Sequence, residues 1–411
     1  MPIKKQLFIL LFACFQLLSV TWLIRVPFLS WITSILFLGS GFGIGILLLQ
    51  ISPLQVPVER MTIRKVTVTM LILGACMIAS YYLAQRIMDH TPIDPKNADM
   101  LPIIRVMCNR FLEGSGSAVY DPIQDIWNGV QPIYLPALWF PFTASLVFDF
   151  DMRWITVAGI WLAVWLAIYP VWIRNSFRVL GLILVPLFAL FAWFLFDRLN
   201  NVIRLTEEGV VFFYYSLMVY AIVSKKPFLI AAVSVLCLLS RYALVGWLPC
   251  LAGFYLLERQ WKSFGIILLT IMLGVLLFFV IPFGWSALQE LASVPGNYVE
   301  HADKVWQSNP EFFRQSPGWA KFFGPHHISL LHVILVSGSF LVPLVFLFYV
   351  RTRPNRAGMT PNFLLASFQC TITFFYAFLD VSYLYLYYTP VFVSLVMAAL
   401  VLSGTGLPEK K

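Results

Sequence analysis

Unbroken apolar stretches at 179–196, 264–283 and 330–350 constrain this chain more than any motif in it. Each matches the length an α-helix needs to cross a hydrocarbon core about 30 Å thick. In lipid only helices and closed barrels satisfy their own backbone, and these stretches lack the alternation of barrel strands. Composition agrees, with 60% of residues hydrophobic and 11% charged, where a soluble domain carries about 25% charged. One or two water-soluble cores could not hide so much apolar surface. The expected fold is all-α, a polytopic helical membrane protein in which residues 1–411 form a single multi-pass unit.

A net charge of +9 does not mark a nucleic-acid binder, because the cations sit in short clusters between apolar runs. They are Lys4–Lys5, Arg60/Arg64/Lys65, Arg174/Arg178, Lys225–Lys226, Arg259/Lys262, Arg351/Arg353/Arg356 and Lys410–Lys411, the positive-inside pattern of cytoplasmic loops. The six cysteines show no framework spacing, so no disulfide is expected. Residues 1–24 have a basic start and an apolar stretch without a small-x-small cleavage site, which reads as an uncleaved first span.

Placing the basic loops in the cytoplasm predicts about twelve spans. They lie near 6–24, 31–51, 66–87, 154–172, 179–196 and 209–223, in a hairpin of two short helices turning near Ser240–Arg241, and at 264–283, 328–349, 362–379 and 384–402. The stretch 134–149 looks apolar enough to span, but Pro132, Pro136 and Pro141 interrupt its start and counting it breaks the parity. It is expected to lie at the interface. The polar segments 88–133 (extended to 153 by this interfacial piece), 197–208, the turn at Arg241, and 285–327 then share the non-cytoplasmic face. Polar loops this long in a compact protein are usually functional.

The first of them holds Asp89, Asp94 and Asp99, then Met100–Leu112 with Leu101, Ile104, Cys108 and Phe111 at helical spacing. Arg105, Asn109 and Arg110 lie between, predicting a surface-lying amphipathic helix ended by Gly114 and Gly116. A membrane span, an acidic residue opening such a helix, Leu112-Glu-Gly114, Val119–Tyr120 and Tyr134-Leu-Pro136-Ala-Leu-Trp-Phe-Pro together resemble the GT-C superfamily of polyprenyl-phosphate-sugar-dependent glycosyltransferases, its mannosyltransferases above all. Asn200–Asn201, Lys225-Lys-Pro227, the Arg241 hairpin and Glu258-Arg-Gln-Trp-Lys262 continue the pattern over roughly residues 85–265. Two spans precede the one leading into the acidic loop, where many members have one.

The resemblance implies an inverting transfer from a polyprenyl-phosphate sugar to a glycan or lipid acceptor. One carboxylate of the first loop acts as general base, with no cofactor. Asp99 takes the family position just before the helix; Asp94 and Asp89 are the alternatives. Asp is also a favoured helix N-cap, so Asp99 has a purely structural reading too. A carboxylate at the membrane surface can take the proton of an attacking hydroxyl, and the leaving phosphate needs cationic donors. Arg241, an arginine between two apolar runs, is the candidate for that phosphate, with Arg105 beside it. Either also suits contact with membrane lipid headgroups.

The remaining polar residues have plainer readings. Arg204, Glu207 and Glu208 read as a solvated charge cluster in an outer turn. Tyr383, Tyr385, Tyr387 and Tyr388 near Asp380 read as an interfacial aromatic belt. His326–His327, with His301 and His332, keep no ligand spacing with a carboxylate or cysteine, so no metal is expected. Trp285, Tyr298, Trp306 and Trp319 of the second loop have faces suited to a sugar acceptor. A transporter or lipid flippase would show ionisable residues in mid-membrane and paired repeats, whereas here they gather at one face. An O-antigen polymerase or ligase would share the two large outer loops but rest on their arginines. The compact loops point to a bacterial cytoplasmic membrane.

Overall fold

The computed structural model describes residues 3–52, 54, 63–126, 129–173, 177–196, 202–352 and 362–404. Among them every regular element is a helix, as lipid requires of a backbone that closes no barrel. Among the described residues, six helices are long and apolar enough to cross a membrane: Lys4–Arg25, Ser30–Leu48, Arg153–Ile173, Trp261–Val294, Pro325–Tyr349 and Leu384–Gly404. The sequence predicts about twelve crossings, and six is the number that length and apolarity establish. Five further apolar helices have only 10–17 residues. One of them, Pro136–Val147, occupies the stretch expected at the interface and is interrupted by a tighter turn at Phe140–Phe142. Its rise of about 18 Å is well short of the hydrocarbon thickness.

The distribution of side chains is that of a protein dissolved in lipid. Leu71, Val185, Phe188, Phe278 and Phe348 point outward and exposed, while glutamines, serines and threonines are turned inward. Ser394 donates to Gln16 Oε1 at 2.5 Å, and Gln369 donates to Ser394 at 2.8 Å and to Thr373 at 3.1 Å. Asn362 Nδ2 caps the C-terminal end of helix Ser30–Leu48, donating to the carbonyls of Leu48, Ile51 and Ser52 at 2.9–3.2 Å. Helix Tyr388–Gly404, buried along nearly its whole length, packs against helices Ile3–Val20, Arg153–Ile173 and Gly209–Ser224. Tyr387 and Tyr388 are fully buried rather than interfacial: the Tyr388 hydroxyl donates to Val20 O and accepts from Trp193 Nε1 at 2.8 Å. The expected aromatic belt is therefore corrected at these two positions, where packing and hydrogen bonds hold the rings inside.

The long polar segments meet at one end of the bundle. Tyr120 packs on Phe279 and Phe283, at ring separations of 5.8 and 5.4 Å. Tyr242 donates to Leu291 O at 3.0 Å, and Trp319 N–H donates to Ala377 O at 2.8 Å. The segment 285–327, read from sequence as an open loop, is largely helical. Helix Ile281–Ser308 is kinked at Gly284, whose φ of 87° and ψ of 163° suit glycine alone. Ala287, Leu291, Val294, Tyr298, Ala302 and Val305 recur every three or four residues and supply its inner face. Of the clusters behind the positive-inside reading, Arg60, Arg174, Arg353, Arg356, Lys410 and Lys411 lie outside the described residues, as does Asn200–Asn201.

A topological prediction follows from this meeting of segments. In a background with the exposed Cys76 replaced by serine, cysteines introduced at Ser115 and Ser308 are expected to react with a membrane-impermeant maleimide added from the same side. Reaction of only one of them would place the two segments on opposite faces.

Candidate functional site

Helix Met100–Leu112 has the bounds its periodicity predicts, with Leu101, Ile103, Ile104, Met107 and Cys108 buried and Arg105 and Asn109 exposed. Asp99 stands at its start. Its backbone carbonyl accepts the Ile103 N–H at 2.9 Å, but its side chain makes no capping hydrogen bond. The carboxylate is half-buried and forms no ion pair among the described residues. Burial raises its pKa above the ordinary carboxylate value, opposed by a backbone hydrogen bond and by the charge of His301. Reciprocally, burial lowers the His301 pKa, with Asp99 pulling the other way. The capping account of Asp99 thus lacks the bond that would carry it.

A cavity of about 270 Å³ lies within reach of the Asp99 charge. Its polar wall includes Tyr134, Arg241, Tyr298, His332 and Asp380, and much of the remainder is apolar, including Val245, Val294, Leu335 and Phe340. Asp99 is not in the wall, but its charge acts on Tyr134 and Tyr298 of that wall and on Glu207.

Arg241 enters on an extended residue, φ −150° and ψ 146°, between helix Pro227–Leu238 and the turn Tyr242–Trp247. Its guanidinium pairs with Glu207 at 2.7 Å and also with Glu208. Both glutamates have fully buried side chains, which overturns their reading as a solvated cluster: they pair with the half-buried arginine instead of water. Burial raises both carboxyls and Arg241 lowers them again; Glu208, further raised by Glu207, is pushed up to about 7. Each glutamate leaves one buried oxygen without a partner among the described residues. Gly209 fixes the pair's depth, because a Cβ there would come 1.9 Å from Thr156 O, so the chain carrying Glu207–Glu208 lies directly on helix Arg153–Ile173.

His332 and Asp380 form a second polar couple, with Nδ1 and Oδ2 2.6 Å apart. Asp380 is only 2% exposed, and its other oxygen has no partner. Burial raises its carboxyl, and His332 lowers it by hydrogen bond and charge. With Nδ1 committed to Asp380, Nε2 is the nitrogen left for a ligand in the cavity. The sequence did carry a signal for this pair, an ionisable residue within an apolar run, which the aromatic neighbours of Asp380 obscured.

The other sequence candidates sit elsewhere. Asp94 accepts the Lys96 N–H at 2.9 Å in a turn, and Asp89 accepts from Gln85 at 2.7 Å at a helix end. Arg105 is on the exposed face of its helix, where its charge acts on Asp151, and it is not in the cavity wall. Asp151 and Arg153, missed from sequence, brace the first polar segment. Arg153 is buried, pairs with Asp151 at 2.5 Å and donates to Thr91 O at 2.6 Å and Met88 O at 3.2 Å. Burial raises the Asp151 carboxyl, but hydrogen bonds and charge from Arg153 bring it below the ordinary value.

Fold and site together define a helical membrane protein with a small, polar-ended cavity where its long polar segments meet. No family model, curated protein or solved structure matches the chain.

Proposed function

We propose that this protein is an inverting membrane glycosyltransferase, moving a sugar from a polyprenyl-phosphate donor to a glycan or lipid acceptor. The observation that carries the reading is Asp99. It is a half-buried carboxylate with no capping bond and, among the described residues, no ion pair, and its charge acts on two wall residues of a cavity that also holds a cation and a histidine. Its position at the start of an amphipathic helix is also the one that the GT-C resemblance assigns to the base.

In this reading Asp99 takes the proton of the acceptor hydroxyl as that oxygen bonds to the anomeric carbon. The bond from that carbon to the phosphate oxygen breaks on the opposite side, releasing polyprenyl phosphate and inverting the centre. Arg241 and His332 meet the charge growing on the phosphate. Arg241 does so as part of a cluster with two glutamates, so one proton on that pair up to about pH 7 keeps the cluster neutral rather than anionic. Donor affinity is therefore expected to fall as pH rises past 7. His332→Gln is expected to weaken donor binding by about 10-fold, the scale of one charge-assisted hydrogen bond; unchanged donor affinity would remove His332 from the phosphate site. Four of the shorter apolar helices, together with Ile63–Asp89 and Asn362–Ala377, complete about twelve crossings, and the setting is a bacterial cytoplasmic membrane.

The test is purified protein in lipid nanodiscs with a panel of polyprenyl-phosphate sugars, following release of polyprenyl phosphate and sugar transfer to added glycan or lipid acceptors. Turnover with at least one donor is expected. Absence of turnover across the panel, in protein that remains folded, would overturn the reading.

A further inference from the structure

A second and larger cavity, of about 820 Å³, opens between the turn after the first helix and the 285–327 segment. It shares no wall residue with the cavity that Arg241 and His332 line. Arg25, Arg314 and Lys321 line it together with one carboxylate, Glu311. Glu311 is already engaged, by Arg314 at 3.3 Å and by Gln315 at 3.0 Å, and Gln315 also accepts from Arg25 at 3.4 Å.

Lys321 is the unusual member. It is 7% exposed, and its ammonium donates to Ser316 O at 2.8 Å, to Thr33 Oγ1 at 3.4 Å and to Ser30 O. These oxygens satisfy its hydrogens but bring no negative charge, and no carboxylate pairs with it among the described residues. A buried ammonium without a counter-charge is costly, and burial accordingly lowers its pKa to about 8. An anion in the cavity would supply what the protein leaves out.

Two indoles complete the wall. Trp306 is stacked on Phe313 at 4.0 Å and 11°, with its buried Nε1 lacking a partner. Trp31 is 53% exposed and rests edge-on against Phe322. Cations beside fixed aromatic faces suit a ligand that is anionic at one end and carries sugar CH surfaces at the other.

We propose that this cavity is a separate binding site for a phosphate-bearing saccharide, with the phosphate at Lys321 and Arg314 and the sugar against Trp306. The phosphate could belong to a free sugar phosphate or to a lipid-linked headgroup, which present the same chemistry. The site is independent of the transfer reaction proposed above.

The experiment uses full-length protein in phosphatidylcholine nanodiscs, titrated with glucose 1-phosphate and, separately, with glucose. Saturable binding of glucose 1-phosphate but not of glucose at the same concentrations is expected. Arg314→Gln, a change on a largely exposed side chain, should weaken it about 10-fold and Trp306→Leu should weaken it further, while His332→Gln leaves it unchanged. That last variant separates this site from the cavity that His332 lines. In a second arm, protein purified from its host membrane is examined by native mass spectrometry. Retention of a phosphate-bearing glycolipid that Arg314→Gln and Lys321→Gln lose would assign the site to the lipid-linked form. Lys321→Gln is scored only if its melting temperature stays near the parent's; Arg314→Gln stands without it. Binding unaffected by Arg314→Gln and Trp306→Leu, or absence of ligand in both arms, would overturn the proposal.

Discussion

Asp99→Asn is expected to fold like the parent protein and to lose sugar transfer by roughly 10²–10⁴-fold, the usual contribution of a general base. The substitution keeps the shape of the side chain and removes the basic oxygen. Asp99→Ala is expected to behave the same way, with stability within about 0.5 kcal/mol of the parent, because the carboxylate makes no capping bond whose loss would cost more. Were Asp99 only a cap, alanine would cost about 1 kcal/mol and asparagine would be active. Activity of Asp99→Asn at the parent rate would end its catalytic assignment and turn attention to Asp94 and Asp89. A base must be ionised to work, so the rate should rise with pH through the pKa of Asp99. Burial raises that pKa, so the rise should fall above the pH of a solvent carboxylate, about 3.9. His301→Gln removes a charge that lowers it, and should shift the rise to still higher pH.

Arg241→Met is expected to destabilise the protein by about 3–5 kcal/mol, because it strands two buried carboxylates. Glu207 and Glu208 have no other ion-pair partner among the described residues. The triple variant Arg241→Met with Glu207→Gln and Glu208→Gln should recover most of the loss while remaining unable to hold the donor phosphate. Thermal melting of the single and triple variants in the same detergent checks this, and an equally unstable triple variant would mean that Arg241 supports the fold by packing alone. The pH dependence has a definite sign. The folded-state pKa of Glu208, pushed up to about 7, stands above the unfolded value of about 4.3, so the folded protein holds the extra proton between them. Stability contributed by that proton is present at low pH and falls as pH rises through about 7. Glu208→Gln should flatten this dependence.

What could be read in the sequence was local. The amphipathic helix Met100–Leu112 and the turn that presents Arg241 are written in spacing and turn residues that act over a few positions. The pairing of Arg241 with Glu207–Glu208 joins residues 33 and 34 positions apart, and the His332–Asp380 couple spans 48. No local pattern distinguishes a carboxylate that will be drawn under a neighbouring helix from one that stays in water. The helix Ile281–Ser308 was a different kind of miss. Its apolar residues do recur at helical spacing, but the surrounding polar residues made the segment read as an open loop. Crossing number was obscured for a related reason: short apolar helices interrupted by proline carry the composition of a span without its length.

Nearly complete burial of helix Tyr388–Gly404 bears on how the protein is made. Its hydroxyl partners include Val20 O and Gln16, near the other end of the chain. At about 5–20 residues per second of synthesis, the first helix enters the membrane some 20–80 s before the helix it packs on exists. Through that interval Gln16 faces lipid or a transient escort with its native partner still unmade. The last helix must therefore insert among helices that already stand in the membrane, some of them already packed on one another.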